Sequence, residues 1–355
     1  MYNTIPSVQI KDVVITDEIK YGYNSRLAVF GAFNSTTAGI NVCKTSKEAK
    51  AIYGETEEFA DQYFDLLFSK NNEVLIYNVN YGKETADHVI TAEDIAVMQE
   101  ALAYDKFDIL LPLISFPLAT EGNINPAIVA LQVMHDEYYN NKDKCLGLIM
   151  GIDLEGAVST DLPKFKELFQ QHGIYKAITS PISLDGELYD ITMNAVYNAL
   201  ITINNPVTTS ETMMIYDSEV DGIITGELET DISIQDLIDA GFLTTQYFDR
   251  GAKTVQCISN ITPSERDMRI ERSFDYIVNR INFAKILGMD NNRIAYDVLD
   301  AIVKYEKTTA IKSGLCTDMT YDIYKTGQDE VTIDLVIKFN DIIRTVKCNV
   351  DIIVE

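Results

Sequence analysis

At 355 residues the chain exceeds what one hydrophobic core commonly supports, so two domains, or one domain with a large insertion, are expected. Its 46% hydrophobic and 10% aromatic content is ample for a packed core, while a net charge of −25 argues against a nucleic-acid binder, whose footprint is basic. No apolar run is long enough to span a bilayer and no basic n-region with an h-region opens the chain, so a soluble product without a Sec signal is expected, leaving its cell by lysis or inside an assembly.

The first fifteen residues hold Val8 and Ile10, then Val13, Val14 and Ile15, a strand-like apolar stretch that needs a partner. A strand is expected over 27–33, followed by the turn-rich Asn34-Ser35-Thr36-Thr37. Thr45 and Glu48 form a capping box for a short helix ending near Gly54. A second helix over 56–70 places Phe59, Tyr63, Leu66 and Leu67 on one face, and 73–79 reads as a strand. Helix and strand then alternate: helices over 92–103, 124–139, 161–171 and 188–203, strands over 107–113, 145–150 and 174–179. Short buried strands separated by helices predict a mostly parallel, layered α/β unit.

Residues 205–235 break this rhythm with polar and acidic turn chemistry. A strand pair is expected over 242–248 and 254–258, around the turn Asp249-Arg250-Gly251. Thr262-Pro263-Ser264-Glu265 reads as a capping box with proline at the first helical position, opening a helix to about Gly288. Ile270, Phe274, Ile277 and Ile281 mark its apolar face, with Arg266, Arg269, Arg272 and Arg280 largely outside it. A further helix over 293–312 is expected to bury Ile294, Val298, Ile302 and Tyr305. From Val331 to Phe339 the chain alternates, turns near Asn340-Asp341, and alternates again through Val346, Cys348, Val350, Ile352 and Val354. Apolar strands at both ends of a chain recruit partners, in their own subunit or in another.

These elements divide the chain into an N-terminal extension (1–20), an α/β region (21–235) and a C-terminal α+β region (236–355). Charge is uneven: residues 1–249 hold 14 Lys+Arg against 38 Asp+Glu, residues 250–355 hold 15 against 16, and seven of the eight arginines lie at or beyond position 250. One part reads as a solvated acidic exterior and the other as a surface that meets partners.

Chemistry-bearing motifs are scarce. The five cysteines (Cys43, Cys145, Cys257, Cys316, Cys348) are scattered without C-x-x-C and read as reduced core residues. His88, His135 and His172 fall in no metal motif, and no P-loop, G-x-G-x-x-G or G-x-S-x-G is present. Gly151-Ile152-Asp153-Leu154-Glu155-Gly156 follows a strand, but its acidic pair would repel phosphate. Asp217-Ser218-Glu219-Val220-Asp221-Gly222 imitates the start of a calcium loop, yet Leu228 stands where the bidentate glutamate belongs, leaving an acidic surface loop as the plainer reading. No enzyme, cofactor or metal site is expected.

The organisation resembles the contractile tail sheath proteins of phages and phage-tail-like bacteriocins. Asp239-Ala240-Gly241-Phe242-Leu243 leading into a strand pair, then Ile258-Ser259-Asn260-Ile261-Thr262 before a long helix, are similar to that family's "G-x-L … I-N-T-L-T" progression. Arg269 with Phe274-Asp275-Tyr276-Ile277 is similar to its R-x-x-D-x-I helix, and the closing β region fits. In the N-terminal half, Leu27-Ala28-Val29-Phe30-Gly31 and the helices 45–54 and 59–68 match more weakly, with Tyr53 where Phe is usual and Pro6-Ser7-Val8 in place of a P-G-V-Y opening.

The resemblance implies an outward α/β domain and an inward α+β domain whose terminal strands are exchanged between subunits. It implies stacked hexameric rings in a helical polymer around an inner tail tube, with baseplate and tail terminator proteins as further partners and no direct nucleic-acid or membrane contact. Val8, Ile10, Val13 and Ile15 would form the donated N-terminal strand, and Val346, Val350, Ile352 and Val354 the C-terminal one; pairing within the same subunit is the alternative. Arg266, Arg269 and Arg272 would contact the tube or an adjacent subunit, solvated helix charge being the alternative. The expected location is a virion or phage-tail-like particle assembled in the bacterial cytoplasm. A baseplate component and an α/β enzyme with an unrecognised site are the rival readings.

Overall fold

The computed structural model describes residues 26–33, 35, 39–53, 58–70, 73–80, 89–103, 105, 107–120, 122–141, 146–171, 173–212, 214–216, 220–222, 232–249, 254–281, 293–325 and 331–339. In chain order these form β1 (Leu27–Gly31), β2 (Ile40–Cys43), α1 (Ser46–Tyr53), α2 (Glu58–Lys70), β3 (Val74–Asn78), α3 (Ala92–Leu102), β4 (Ile109–Pro112) and β5 (Ser115–Pro117). Next come β6 (Ala119–Thr120), β7 (Asn123–Ile124), α4 (Pro126–Asn141), β8 (Gly147–Asp153), α5 (Asp161–Leu168), β9 (Ile174–Ile178), β10 (Ile182–Leu184) and β11 (Glu187–Tyr189). The remainder is α6 (Ile191–Asn204), β12 (Val220–Gly222), α7 (Ile234–Ala240), β13 (Thr244–Asp249), β14 (Thr254–Ser259), α8 (Met268–Arg280), α9 (Arg293–Lys312), β15 (Asp318–Lys325) and β16 (Val331–Lys338).

The fold is mixed α/β. Its main sheet runs β2-β3-β1-β4-β8, with β5 beside the C-terminal stretch of β8 on the β4 side and β9 along the opposite edge. All pairings are parallel except that of the edge strand β2 with β3. Helices cover both faces, so β1 and β3 are buried at every residue and read as apolar runs up to Asn78. Alternate residues still go to opposite layers. Ala28, Phe30, Leu75, Tyr77, Leu110, Leu148 and Met150 meet α3, α4, α5 and α7; Leu27, Val29, Val74, Ile76, Ile109 and Ile149 meet α1, α2, α6 and β14. A third apolar cluster is separate: Val207, Ile277, Ile281, Val303, Ala310, Leu315, Cys316 and Met319.

Local signals explain most boundaries. Thr91 caps α3 and Ser233 caps α7 in reciprocal boxes with Asp94 and Asp236, and Asp190 caps α6 through the Met193 amide. Thr45 accepts the Glu48 amide as its box requires, but the Glu48 carboxylate bonds the Lys44 amide instead. α7 ends on Gly241 at φ 86°, where a Cβ would lie 2.3 Å from the backbone nitrogen of Pro263. Gly241→Ala therefore combines a left-handed backbone with a clash against another segment's main chain. We expect a loss of at least about 2 kcal/mol, read as a lower denaturant midpoint at unchanged slope.

Several sequence expectations are corrected. Thr262-Pro263-Ser264-Glu265 does not open a helix: Thr262 closes a turn on the Arg266 carbonyl, Glu265 sits at φ 64°, and α8 starts only after its own cap, Asp267. α9 buries Ala295, Leu299, Val303 and Ala310; of the residues expected inside, Ile302 packs half-buried on the same cluster and Val298 is half-buried, whereas Tyr305 is 51% exposed, and the Ile294 side chain lies outside the description. Strand β2, the small pairs β6–β7 and β10–β11, and strand β15 were not expected from the pattern. The helix expected from 188 begins at Ile191, after Glu187–Tyr189 form β11.

Candidate assembly interface

The C-terminal elements form an antiparallel ribbon on a helical platform. β15 and β16 pair over their full length, from Asp318 opposite Lys338 to Lys325 opposite Val331. Met319 is buried against the platform with Val303, Ala310 and Leu315, and Tyr321, Ile333, Leu335, Ile337 and Phe339 are half-covered on the same side. Two-stranded ribbons are marginal alone, and this apolar face is what holds the pair to α9. Tyr321 Oη also donates to Asp300 Oδ1 on α9 (2.8 Å); burial and that carboxylate push its phenol up to about 12.

The opposite face is open. Thr320, Asp322, Tyr324, Asp334, Val336 and Lys338 are exposed, Tyr324 at 42% and Val336 at 56%. Asp322 stands directly across from Asp334, an unfavourable like-charge pairing, and Tyr324 Oη donates to Asp334 Oδ2 (2.9 Å). Among the described residues neither long edge of the ribbon carries another strand. Such an edge offers a row of main-chain donors and acceptors to an added strand.

The platform is tied together by charge. Arg280 Nε donates to Glu306 Oε2 (2.9 Å) and Nη1 to Tyr276 Oη (2.8 Å), its guanidinium 5.3 Å from the Tyr276 ring centre. Burial opposes the charge on Arg280, but Glu306 and Tyr276 outweigh it and hold the group above its ordinary value. The other side of α8 packs against β9. Tyr175 Oη, buried on β9, donates to Asp275 Oδ2 (2.5 Å), and burial with that carboxylate raises the phenol well above its usual range. Arg272 Nη2 donates to the Asn205 carbonyl (3.3 Å), and Asp267 accepts from Ser210 and Thr212 (both 2.9 Å). Tyr175 is itself held close: a Cβ on Gly147 would fall 2.1 Å from its ring.

The sequence-predicted residues fall as follows. Val8, Ile10, Val13 and Ile15, and Val346, Val350, Ile352 and Val354, lie outside the described residues. Arg266 is exposed and bonds the Gln171 carbonyl and Glu271 (3.4 and 3.3 Å), and Arg269 is half-buried. Arg272 is corrected from a surface contact to an interior one: it is 3% exposed, because α8 buries a polar face against the sheet. The structure thus brings none of the three arginines together with the ribbon. Sequence reasoning missed strand β15, although Met319, Tyr321 and Ile323 alternate, which is the readable signal.

Among the described residues no group of His, Cys, Asp and Glu is placed to hold a metal, and no helix is long and apolar enough to cross a membrane. Val220–Gly222, within the calcium-like stretch, is strand β12, while Asp217–Glu219 lie outside the described residues. The buried ion pair Lys176–Glu211 is consumed internally. Lys176 Nζ also donates to the Asn198 carbonyl and Oδ1 (3.3 and 3.2 Å), and Thr202 Oγ1 donates to Glu211 Oε1 (3.3 Å). A nearby cleft of about 150 Å³, lined by Tyr197, Leu200, Ile201, Met214 and Tyr216 among others, holds no charged side chain.

No protein-family model matches the sequence, and no curated protein matches it. The fold does have counterparts among solved structures. A sheath tail protein from Desulfitobacterium hafniense superposes with a TM-score of 0.60 at 11% identity, covering 93% of this chain and 99% of that one. A sheath tail protein from Listeria innocua gives 0.60 at 10% identity, covering 88% and 95%. A chain of the anti-feeding prophage baseplate in its contracted state gives 0.52 at 10% identity, covering 98% of each. The chain has the fold of the sheath tail proteins.

Proposed function

We propose that this chain is the structural subunit of a contractile tail sheath. The observation that carries the reading is a fold shared with sheath tail proteins along nearly the whole chain, including a ribbon whose long edges carry no further strand among the described residues. In this reading the protein is a part of a phage-type tail particle and not an enzyme. Subunits assemble as stacked hexameric rings around an inner tube. The N-terminal strand with Val8, Ile10, Val13 and Ile15, and the C-terminal one with Val346, Val350, Ile352 and Val354, add to the ribbons of neighbouring copies. Main-chain hydrogen bonds give attachment and alternate side chains give register. The acidic region 21–235 faces outward, and region 236–355 faces the tube, with Arg266 and Arg269 at that surface. Baseplate and terminator proteins would bind the ends of the polymer.

The work of such a sheath is mechanical. An extended polymer relaxes to a shorter, wider one through subunit contacts that differ by a few kcal/mol each, summed over many copies. No nucleotide enters, in keeping with the sequence's lack of phosphate motifs.

The full-length likeness to a baseplate chain favours one second reading, a baseplate component. Negative-stain electron microscopy of the purified protein at high concentration, with tube and baseplate proteins added, separates the two. Long hollow tubes of uniform width with six-fold end views are expected; closed rings that never lengthen would assign the chain to the baseplate.

A further inference from the structure

We propose that the side chains of Lys176 and Asn198 join in an intramolecular amide bond, with Glu211 moving the protons and Tyr216 steadying the reacting carbonyl. The reacting groups come from separate elements: Lys176 from β9, Asn198 from α6 and Glu211 from the segment after α6, each 1% exposed. A buried lysine beside a carboxylate is ordinarily a structural ion pair. Here a side-chain amide lies in the same contact. Lys176 Nζ is bonded to Glu211 Oε2 and, at 3.2 Å, to Asn198 Oδ1. Tyr216 Oη donates to that same oxygen (3.3 Å). Asn198 Nδ2 in turn donates to Oδ1 and the main-chain carbonyl of Asn194 (2.8 and 3.1 Å). The amide is thus held with its carbonyl polarised by two donors and its nitrogen fixed on Asn194.

These contacts assemble the parts of an aminolysis: nucleophile, base, electrophile and a donor to the oxygen on which charge develops. Glu211 Oε2 takes one proton from the ammonium, and the freed lone pair of Nζ attacks Cγ of Asn198. Tyr216 donates to Oδ1 as it turns negative. A second proton passes from Nζ to Nδ2 by way of Glu211, the Cγ–Nδ2 bond breaks, and ammonia leaves. Of the three ammonium protons one stays on the new amide, one departs on ammonia and one remains on Glu211, so the step needs no oxidant and no co-reactant. Burial lowers Lys176 below the ordinary lysine range although Glu211 opposes it, which favours the neutral amine that attacks. Contact within one chain replaces a bimolecular encounter. The product ties the sheet to α6 by a bond that reductant cannot open, in a chain whose described cysteines, Cys43, Cys257 and Cys316, form no disulfide.

Intact mass spectrometry of the denatured full chain tests the bond, and the result is independent of the sheath reading. The parent is expected to be one ammonia lighter, about 17 Da, than the mass of its amino-acid sequence. Glutamyl endopeptidase cuts after Glu187, between the two residues, and should leave the peptides holding Lys176 and Asn198 joined. Lys176→Met is expected at its full sequence mass with those peptides separate. Glu211→Gln, taken from the fraction that circular dichroism shows to be folded, should likewise keep its ammonia. A parent at full sequence mass whose peptides separate overturns the bond, as does a loss of ammonia that Lys176→Met retains. Joined peptides in Glu211→Gln would overturn the role given to Glu211.

Discussion

A chain lacking residues 1–15 is expected to fold as a monomer and to form no tubes. The described structure starts at Arg26, whose amide bonds Asp108 at the N-terminal edge of the sheet, and the deletion leaves every described residue in place. Val8 to Ile15 is an eight-residue segment, the length of β15 and of β16. Added to a ribbon edge, it would make roughly eight ladder bonds at about 1 kcal/mol each, less the cost of ordering the arm. Losing even about 3 kcal/mol of that per contact raises the assembly concentration by more than a hundredfold. Circular dichroism and sedimentation should report a folded monomer, and negative stain an empty field. Tubes from the truncated protein would remove the N-terminal arm from the account and leave the ribbon to the C-terminal strand alone.

Glu211→Gln should be among the most damaging single substitutions in the body. Lys176 is 1% exposed and Glu211 likewise, and removing one partner leaves a buried ammonium facing neutral groups, a change that costs about 3–5 kcal/mol. Burial already pushes Lys176 below the ordinary lysine range despite Glu211, and the variant lowers it further. With the folded value depressed and the unfolded one near the usual ~10.4, the unfolded chain binds more protons between the two, so stability rises with pH across that window. The deficit relative to the parent should therefore shrink between neutral pH and pH 10, as measured by denaturant midpoints. A Lys176→Met, Glu211→Leu double variant should cost less than the single one. A deficit that is small, or that grows with pH, would mean the lysine is not held as a buried cation.

The α/β body was largely legible because burial on both sides of a parallel sheet writes itself as unbroken apolar runs, as at 27–31 and 74–77. Helices with strong caps were legible too, as with Thr45 before α1. Much of what failed has one physical cause, polar residues whose partners are distant in sequence. Asp275 reads as surface until Tyr175 is placed a hundred residues earlier, and Arg272 until the Asn205 carbonyl is beneath it. Glu306 occupies a buried position on α9 because Arg280 reaches it, which rotates the helix face away from Tyr305. Asp267 takes the cap of α8 from Thr262 because its side chain accepts the Arg269 amide while Thr262 is spent on its own turn. β15 escaped notice because the polar residues of its open face, Thr320, Asp322 and Tyr324, dilute the alternation of Met319, Tyr321 and Ile323. Of the proposed interface, the terminal strands were read from pattern alone; of the ribbon that would receive them, β16 was legible in the alternation from Val331 and β15 came from the structure.

The measurement that bears most directly on the account is a cryo-electron microscopy reconstruction of the assembled protein at a resolution that traces strands. We expect a helical tube in which each β15–β16 ribbon is extended along its edges by strands whose side chains are those of Val8–Ile15 and Val346–Val354 from other copies. A tube whose ribbons gain strands only from their own chain, or gain none, would contradict it.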